Sequence, residues 1–301
     1  MAELYIAYEY WFAAFQLIFA MLGMGATLTV TDFTDVLRTP KAVTIGTSMQ
    51  ILAVPIVAYL FISVAGVVGG VAVGIALIAA IPGGTTSNIF TFMARGNSPL
   101  SISITAITTL ACLITTPLIL SMLITEYLPA DFAMPTGQII NEIALTLLLP
   151  LALGMLVLKL LPNQAGAISK WCIRASLLGI VLIIVGSSSA GRLDIDAFGS
   201  NNVLLIVGLV FSLTLIGWLI PYALRLLKPD LTAIQMEVVV RNVNLGVLIK
   251  ASMFPAVAGA DNSVGDMVLF SVLLYGGVQM LVAAVIIGWR RRTSRVADAH
   301  L

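Results

Sequence analysis

Nine stretches of this chain are apolar over about 20 residues, the length a helix needs to cross a bilayer: 8–29, 42–66, 70–94, 98–125, 136–160, 167–190, 201–226, 232–254 and 264–289. In hydrocarbon every backbone amide and carbonyl must find a partner within the protein, so runs of this length fold as helices. Composition agrees. Of 301 residues, 60% are hydrophobic and 10% charged, with a mean hydropathy of +1.09, where a soluble domain carries about 25% charge. The chain is therefore read as an all-α polytopic membrane protein of about nine spans in a lipid bilayer. A net charge of +1 gives no reason to expect a nucleic-acid partner.

Charge orients the spans. With the N-terminus outside, the inner segments receive Arg38, Lys41, Arg95, Lys159, Lys170, Arg174, Arg225, Lys228, Arg290, Arg291, Arg292 and Arg295, and the outer segments only Arg192. The outer segments also hold Glu126, Asp131, Asp194, Asp196 and Asp261. Basic residues stay cytoplasmic, so the reading is N-terminus outside and C-terminus inside, with the arginine run after Trp289 as a stop-transfer cluster. Met1-Ala2-Glu3-Leu4-Tyr5 lacks the basic start of a secretory signal, so the first span is expected to be retained.

Enzyme chemistry finds little to work with. His300 is the single histidine, and Cys112 and Cys172 both fall in apolar surroundings. No Ser-His-Asp, Cys-His or Walker pattern occurs.

Two spans are broken by polar residues. The first break is Pro82-Gly83-Gly84-Thr85-Thr86-Ser87-Asn88 and the second runs from Glu237 to Gly246. Proline withholds a donor from the helix ladder and paired glycines let the backbone unwind. Irregular backbone at this depth survives where it lines a cavity, and one break in each half of a chain is the pattern of a secondary transporter. A helix kinked and packed through small residues would give the same sequence at the first break. Ser101 and Thr105 share one helix face at a spacing of four, and Thr108, Thr109, Thr115 and Thr116 are read as bonding to their own or a neighbouring helix. Glu237, a carboxylate well inside a span, marks a functional site by default, as a cation ligand when ionised or a proton carrier when not. Arg241 follows by four residues and on an intact helix would pair with it; on an unwound one it becomes a fixed cation able to clamp a carboxylate. Lys250 is expected to snorkel outward and Glu142 to lie at the interface.

On these residues the chain resembles the bile acid:sodium symporter family, from about Met24 to the ninth span. The resemblance is carried by Gly23-Met24-Gly25-Ala26-Thr27-Leu28-Thr29, Asp32-Phe33, Pro40-Lys41-Ala42, Gln50, the block from Pro82 through Ala94-Arg95-Gly96-Asn97, and Glu237-Val238 with Asn242. It implies an inverted-repeat transporter, a single unit over 1–301, with discontinuous helices near 70–94 and 232–254 crossing in a core bundle and the remaining helices forming a panel. A first sodium would be held by Ser87, Asn88, Ser101, Thr105 and Glu237, and a second by Gln50, Glu237, Val238, Val240 and Arg241. Thr85, Asn242, Asn244 and Arg241 would face the substrate, an organic anion such as a bile acid or small carboxylate. Sodium is the only metal implied, no protein partner is implied, and the setting is a bacterial inner membrane.

The chain departs from the family pattern twice. It begins one span later than ten-span members, which agrees with an outside N-terminus. Position 241 usually carries glutamine, and arginine offers no acceptor oxygen and a permanent positive charge, so the second sodium is expected to be lost or replaced by the guanidinium. The leading expectation is sodium-coupled symport of an organic anion. Proton-coupled or facilitated carriage is the alternative within transport, and an anion receptor or sensor is the alternative outside it.

Overall fold

The computed structural model describes residues 2–34, 40–128, 132–257 and 262–298. Arg38, Asp131, Asp261 and His300 lie outside the described residues, as do the side chains of Phe33, Thr34 and 293–298. Among the described residues the chain is helical without a strand. Seven of the expected spans are long helices, the first of them kinked at Tyr8: α1 (Ala2–Gly25), α2 (Pro40–Ala65), α5 (Ser98–Tyr127), α6 (Thr136–Leu160), α7 (Pro162–Ser189), α8 (Ser200–Ala223) and α11 (Ser263–Asp298). The other two are interrupted. The first divides into α3 (Gly69–Ala80) and α4 (Thr85–Met93), the second into α9 (Lys228–Val239) and α10 (Val243–Met253).

Side chains such as Ile114, Leu204, Leu281 and Val285 stay at least two-thirds exposed on the long helices, as lipid-facing residues do. The interrupted helices are different. Every residue from Val71 to Gly84 and from Leu231 to Val243 is buried, so both breaks lie in the protein interior. There irregular backbone can be satisfied by neighbours.

α1 packs along α6 and α7, while α3 packs on α5 and α11 and α9 on α8. At the α1–α6 contact a Cβ added to Gly25 would lie 2.1 Å from the Leu151 carbonyl oxygen and one added to Gly154 2.4 Å from that of Leu22. The two backbones touch there, as small residues allow in membranes. α2 and α6 each contain a wide π-turn, at Met49–Ala53 and Ile143–Leu148. Each lies just ahead of a proline, Pro55 and Pro150, whose missing N–H loosens the regular ladder. The first of these turns points Gln50 into the interior, at 2% exposure.

Candidate functional site

α3 stops at Ala80, Ile81 turns to an extended conformation, and Gly84 caps the start of α4. α9 stops at Val239, and the Asn242 side chain caps α10 by accepting the Leu245 amide. The two unwound segments run antiparallel across each other. The Asn242 amide donates to the Pro82 carbonyl at 2.9 Å, and the Gly84 amide faces the Val240 carbonyl at 3.4 Å. Gly83 and Arg241 form the bridge between them. Two residues with no sequence signal complete the accounting. Gln279 on α11 accepts the Arg241 amide at 2.8 Å, and Tyr275 donates its hydroxyl to the Val239 carbonyl at 2.7 Å.

Beside the crossing, Glu237 is fully buried and its carboxylate gathers oxygens from α4 and α5. The Ser87 hydroxyl of α4 donates to Oε1. The Ser101 hydroxyl of α5 approaches Oε1 at 2.6 Å, and that of Thr105 approaches both oxygens at 2.9 and 2.8 Å. Asn88 Oδ1 stands 2.8 Å from Ser101 Oγ and 3.1 Å from Thr105 Oγ1. The five residues expected to share a site do converge. Each of the three hydroxyls has one hydrogen and faces at least two acceptors; for Ser87 the second is the Gly84 carbonyl, at 2.6 Å. Each hydroxyl can therefore satisfy only one of the acceptors it faces at a time. Thr108 bonds back to the carbonyl of Ile104, and Thr116 donates to that of Ala80, so these two have structural roles.

Glu237 and Arg241 are both buried, yet Gln50 stands between them. Its Nε2 donates to Glu237 Oε2 at 3.0 Å, while its Oε1 accepts from the Gly83 amide at 2.7 Å and from Arg241 Nη1 at 3.0 Å. Only one orientation of the amide satisfies a carboxylate on one side and two donors on the other. The guanidinium reaches the carbonyls at the end of α3, those of Ile78 (3.4 Å), Ala79 (3.2 Å) and Ile81. These are orphan acceptors at the negative end of a helix dipole, where a cation is favoured. Arg241 is therefore tied into the frame. Of the other positions expected at a second cation site, Val238 and Val240 are fully buried within the same segment.

A cavity of about 360 Å³ opens behind the crossing. It is lined by Thr85, Thr86, Asn242 and Asn244 and by Ile173, Leu177, Ile180 and Ile184 of α7, with Gln16 and Ser176 joined by a 2.9 Å hydrogen bond. Thr85, Asn242 and Asn244, expected to face a substrate, all line this cavity. Arg241 contributes to the lining, but its guanidinium points at α3 and Gln50.

Two expectations are corrected. Lys250 does not snorkel: it is fully buried and donates to Glu9 at 2.7 Å. Its helix is the second half of a broken pair enclosed by α1 and α11, so water is out of reach. Glu142 is buried as well, accepting from Gln138 and Ser252. Sequence distance hid the Glu9 and Ser252 partners.

Gly83 is needed for its lack of a side chain. A Cβ there would lie 2.5 Å from Glu237 Oε2 and 3.1 Å from Gln50 Nε2. Gly83→Ala is expected to displace the carboxylate and remove cation-dependent stabilisation while circular dichroism keeps its helical amplitude; a variant retaining the full ion response would show the close approach to be unimportant.

An all-helical membrane protein whose two interrupted helices cross between a carboxylate–hydroxyl cluster and a mainly apolar cavity has the architecture of a secondary transporter. The family model of the Sodium Bile acid symporter family matches residues 14–195, and the chain belongs to that family. It is similar to the uncharacterized sodium-dependent transporter YocS of Bacillus subtilis (strain 168), at 31% identity over 261 residues, 84% of this chain and 79% of that protein. It is also similar to the sodium-dependent organic anion transporter of Bos taurus, at 31% identity over 208 residues, 69% of this chain and 54% of that one. The chain is thus a membrane transporter and not an enzyme.

Proposed function

We propose that this protein is a symporter that carries a small organic anion with one sodium ion per cycle. The observation that carries the reading is the convergence of side-chain oxygens on Glu237. Ser87, Asn88, Ser101, Thr105 and Glu237 turn oxygen toward one point, the donor type a hard cation prefers. Sodium dependence in the names of the Bacillus and bovine relatives supports sodium as that cation.

The second cation is built in. Arg241 supplies fixed positive charge where a second sodium would otherwise meet loose carbonyls and the Gln50 oxygen. An added sodium beside a guanidinium in a poorly screened interior is strongly repelled.

The anion binds in the 360 Å³ cavity. α4 and α10 both begin at its edge, and helix N-termini favour negative charge. Thr85, Asn242 and Asn244 hydrogen-bond its polar end, while α7 offers its isoleucines and Leu177 to an apolar portion. α1, α6 and α7 act as a panel against which the crossing helices and their neighbours move. The setting is a bacterial inner membrane, N-terminus outside and C-terminus cytoplasmic.

The test is thermal unfolding of the purified protein in sodium against potassium, at equal ionic strength and without substrate. A ligand that binds only the folded state adds RT ln(1 + [L]/Kd), about 1.4 kcal/mol at ten times Kd. A sodium-dependent midpoint, lost in Ser101→Ala and unchanged between pH 6 and 8, is the expected result. Equal midpoints in the two ions would discard sodium and bring proton coupling or facilitated carriage forward.

A further inference from the structure

A second charged cluster lies away from the crossing and takes no part in the chemistry above. Glu9 on α1 accepts Lys250 Nζ on Oε1 at 2.7 Å, and the same oxygen forms an ion pair with Arg192 Nη1 at 2.8 Å. Arg192 Nε bonds Asp266 Oδ1 in turn. Glu9, Arg192 and Lys250 are 3%, 5% and 0% exposed, so three of the four charges have left water entirely.

Stability alone does not account for such a network. Burying ions costs several kcal/mol each, and apolar replacements of buried ion pairs are often as stable or more so. Its placement is more telling. Glu9 belongs to α1, and Arg192 follows the end of α7, two helices that pack together. Lys250 belongs to α10, which packs on both α1 and α11, and Asp266 belongs to α11. The Glu9–Lys250 and Arg192–Asp266 pairs therefore each tie one of α1 and α7 to one of α10 and α11, four helices that line the cavity.

Depth fixes which end they close. Glu9 precedes the cavity residue Gln16 by seven positions, Asp266 precedes Leu273 by seven, and Lys250 follows Asn244 by six. At 1.5 Å per residue each sits roughly 10 Å beyond the cavity wall, and all lie toward the end that carries Arg192, the side the charge bias assigns to the outside.

We infer that Glu9, Arg192, Lys250 and Asp266 form an ionic gate that seals the outer end of the cleft and must part before substrate enters from outside. The proposal rests on the transport reading. The pairs are suited to opening. Among the described residues, Glu9 Oε2 and both terminal nitrogens of Arg192 have no hydrogen-bond partner, and an incompletely satisfied buried network holds less firmly than a complete one. Transitions between packed states commonly exchange interface salt bridges in this way.

The test uses the full chain with Cys112→Ala and Cys172→Ala and a reporter Gly277→Cys on the cavity wall, where an added Cβ meets nothing within 4 Å. A membrane-impermeant maleimide is applied to right-side-out and to inside-out vesicles. With the gate intact, labelling is expected to be at least about tenfold faster from the inner face. Lys250→Met removes one arm and keeps the side chain's length and apolar stem; it is expected to raise outer labelling about tenfold and lower inner labelling. The doubly exchanged Glu9→Lys/Lys250→Glu chain should return both rates toward the parent's.

Where Lys250→Met fails to fold, Asp266→Asn opens the Arg192 arm alone at a partly exposed carboxylate and gives the same change on a smaller scale. Rates within twofold of the parent in the folded variants, or faster outer labelling in the parent itself, overturn the gate. The labelling needs neither sodium nor substrate, so its failure leaves the symport reading standing, and a sodium-independent protein with a working gate would count against that reading alone.

Discussion

Glu237→Ala is expected to abolish both the sodium-dependent rise in unfolding midpoint and sodium-driven uptake. The carboxylate is the point on which Ser87, Ser101, Thr105 and Gln50 converge. Removing it leaves four donors around an empty space and takes away the single negative charge of the cluster. In potassium two effects offset each other. An orphaned buried polar group costs about 1–3 kcal/mol, while relief from burying a carboxylate returns a similar amount. The informative quantity is therefore the difference between ions, about 1.4 kcal/mol for the parent at ten times Kd and close to zero for the variant. A variant that keeps that difference would mean the ion is bound elsewhere.

Arg241→Gln is expected to change the order of sodium dependence. The guanidinium reaches three carbonyls at the end of α3 and the oxygen of Gln50. Glutamine removes the charge, exposes those oxygens and adds one of its own, which is the composition of a cation site. A Hill coefficient cannot exceed the number of interacting sites, so it is expected to rise from about 1 toward 2 as the second ion enters. Arg241→Met serves as the contrast. It removes the charge and supplies no oxygen, leaving the α3 carbonyls unsatisfied, with an expected destabilisation of about 3 kcal/mol and loss of uptake. A Hill coefficient that stays near 1 in Arg241→Gln, with stability unchanged, would show that the arginine is not standing in for an ion.

Much of this site was legible in the sequence because its signals are local. Pro82, Gly83 and Gly84 mark the first break by their own backbone chemistry, and Glu237 announces itself as a carboxylate in an apolar run. Ser101 and Thr105 share a helix face by spacing alone, although nothing local aimed that face at Glu237. The resemblance supplied that step, and the geometry agrees with it. Other features depended on partners far away in the chain. Lys250 reads as a snorkelling residue until Glu9, 241 positions earlier, is placed beside it. Gln279 and Tyr275 look like ordinary members of a long helix, yet they satisfy the backbone of the second break. The role of Gln50 as a bridge depends on a π-turn whose nearest sequence signal is Pro55, a residue that elsewhere gives only a bend.

Because Arg241 is bonded to carbonyls of the fold, its charge stays behind when substrate and ion leave. For a monovalent anion, one sodium then makes the translocated load neutral, and the membrane voltage does no work on it. The limit on accumulation is the sodium gradient alone. A tenfold gradient, worth about 1.4 kcal/mol, supports at most a tenfold excess of substrate inside. A second sodium would contribute another 1.4 kcal/mol and, through its uncompensated charge, about 2.3 kcal/mol for each 100 mV. In the proposed one-sodium cycle, a cation fixed in the protein would give up that concentrating power and gain a driving force that does not change with the electrical state of the membrane.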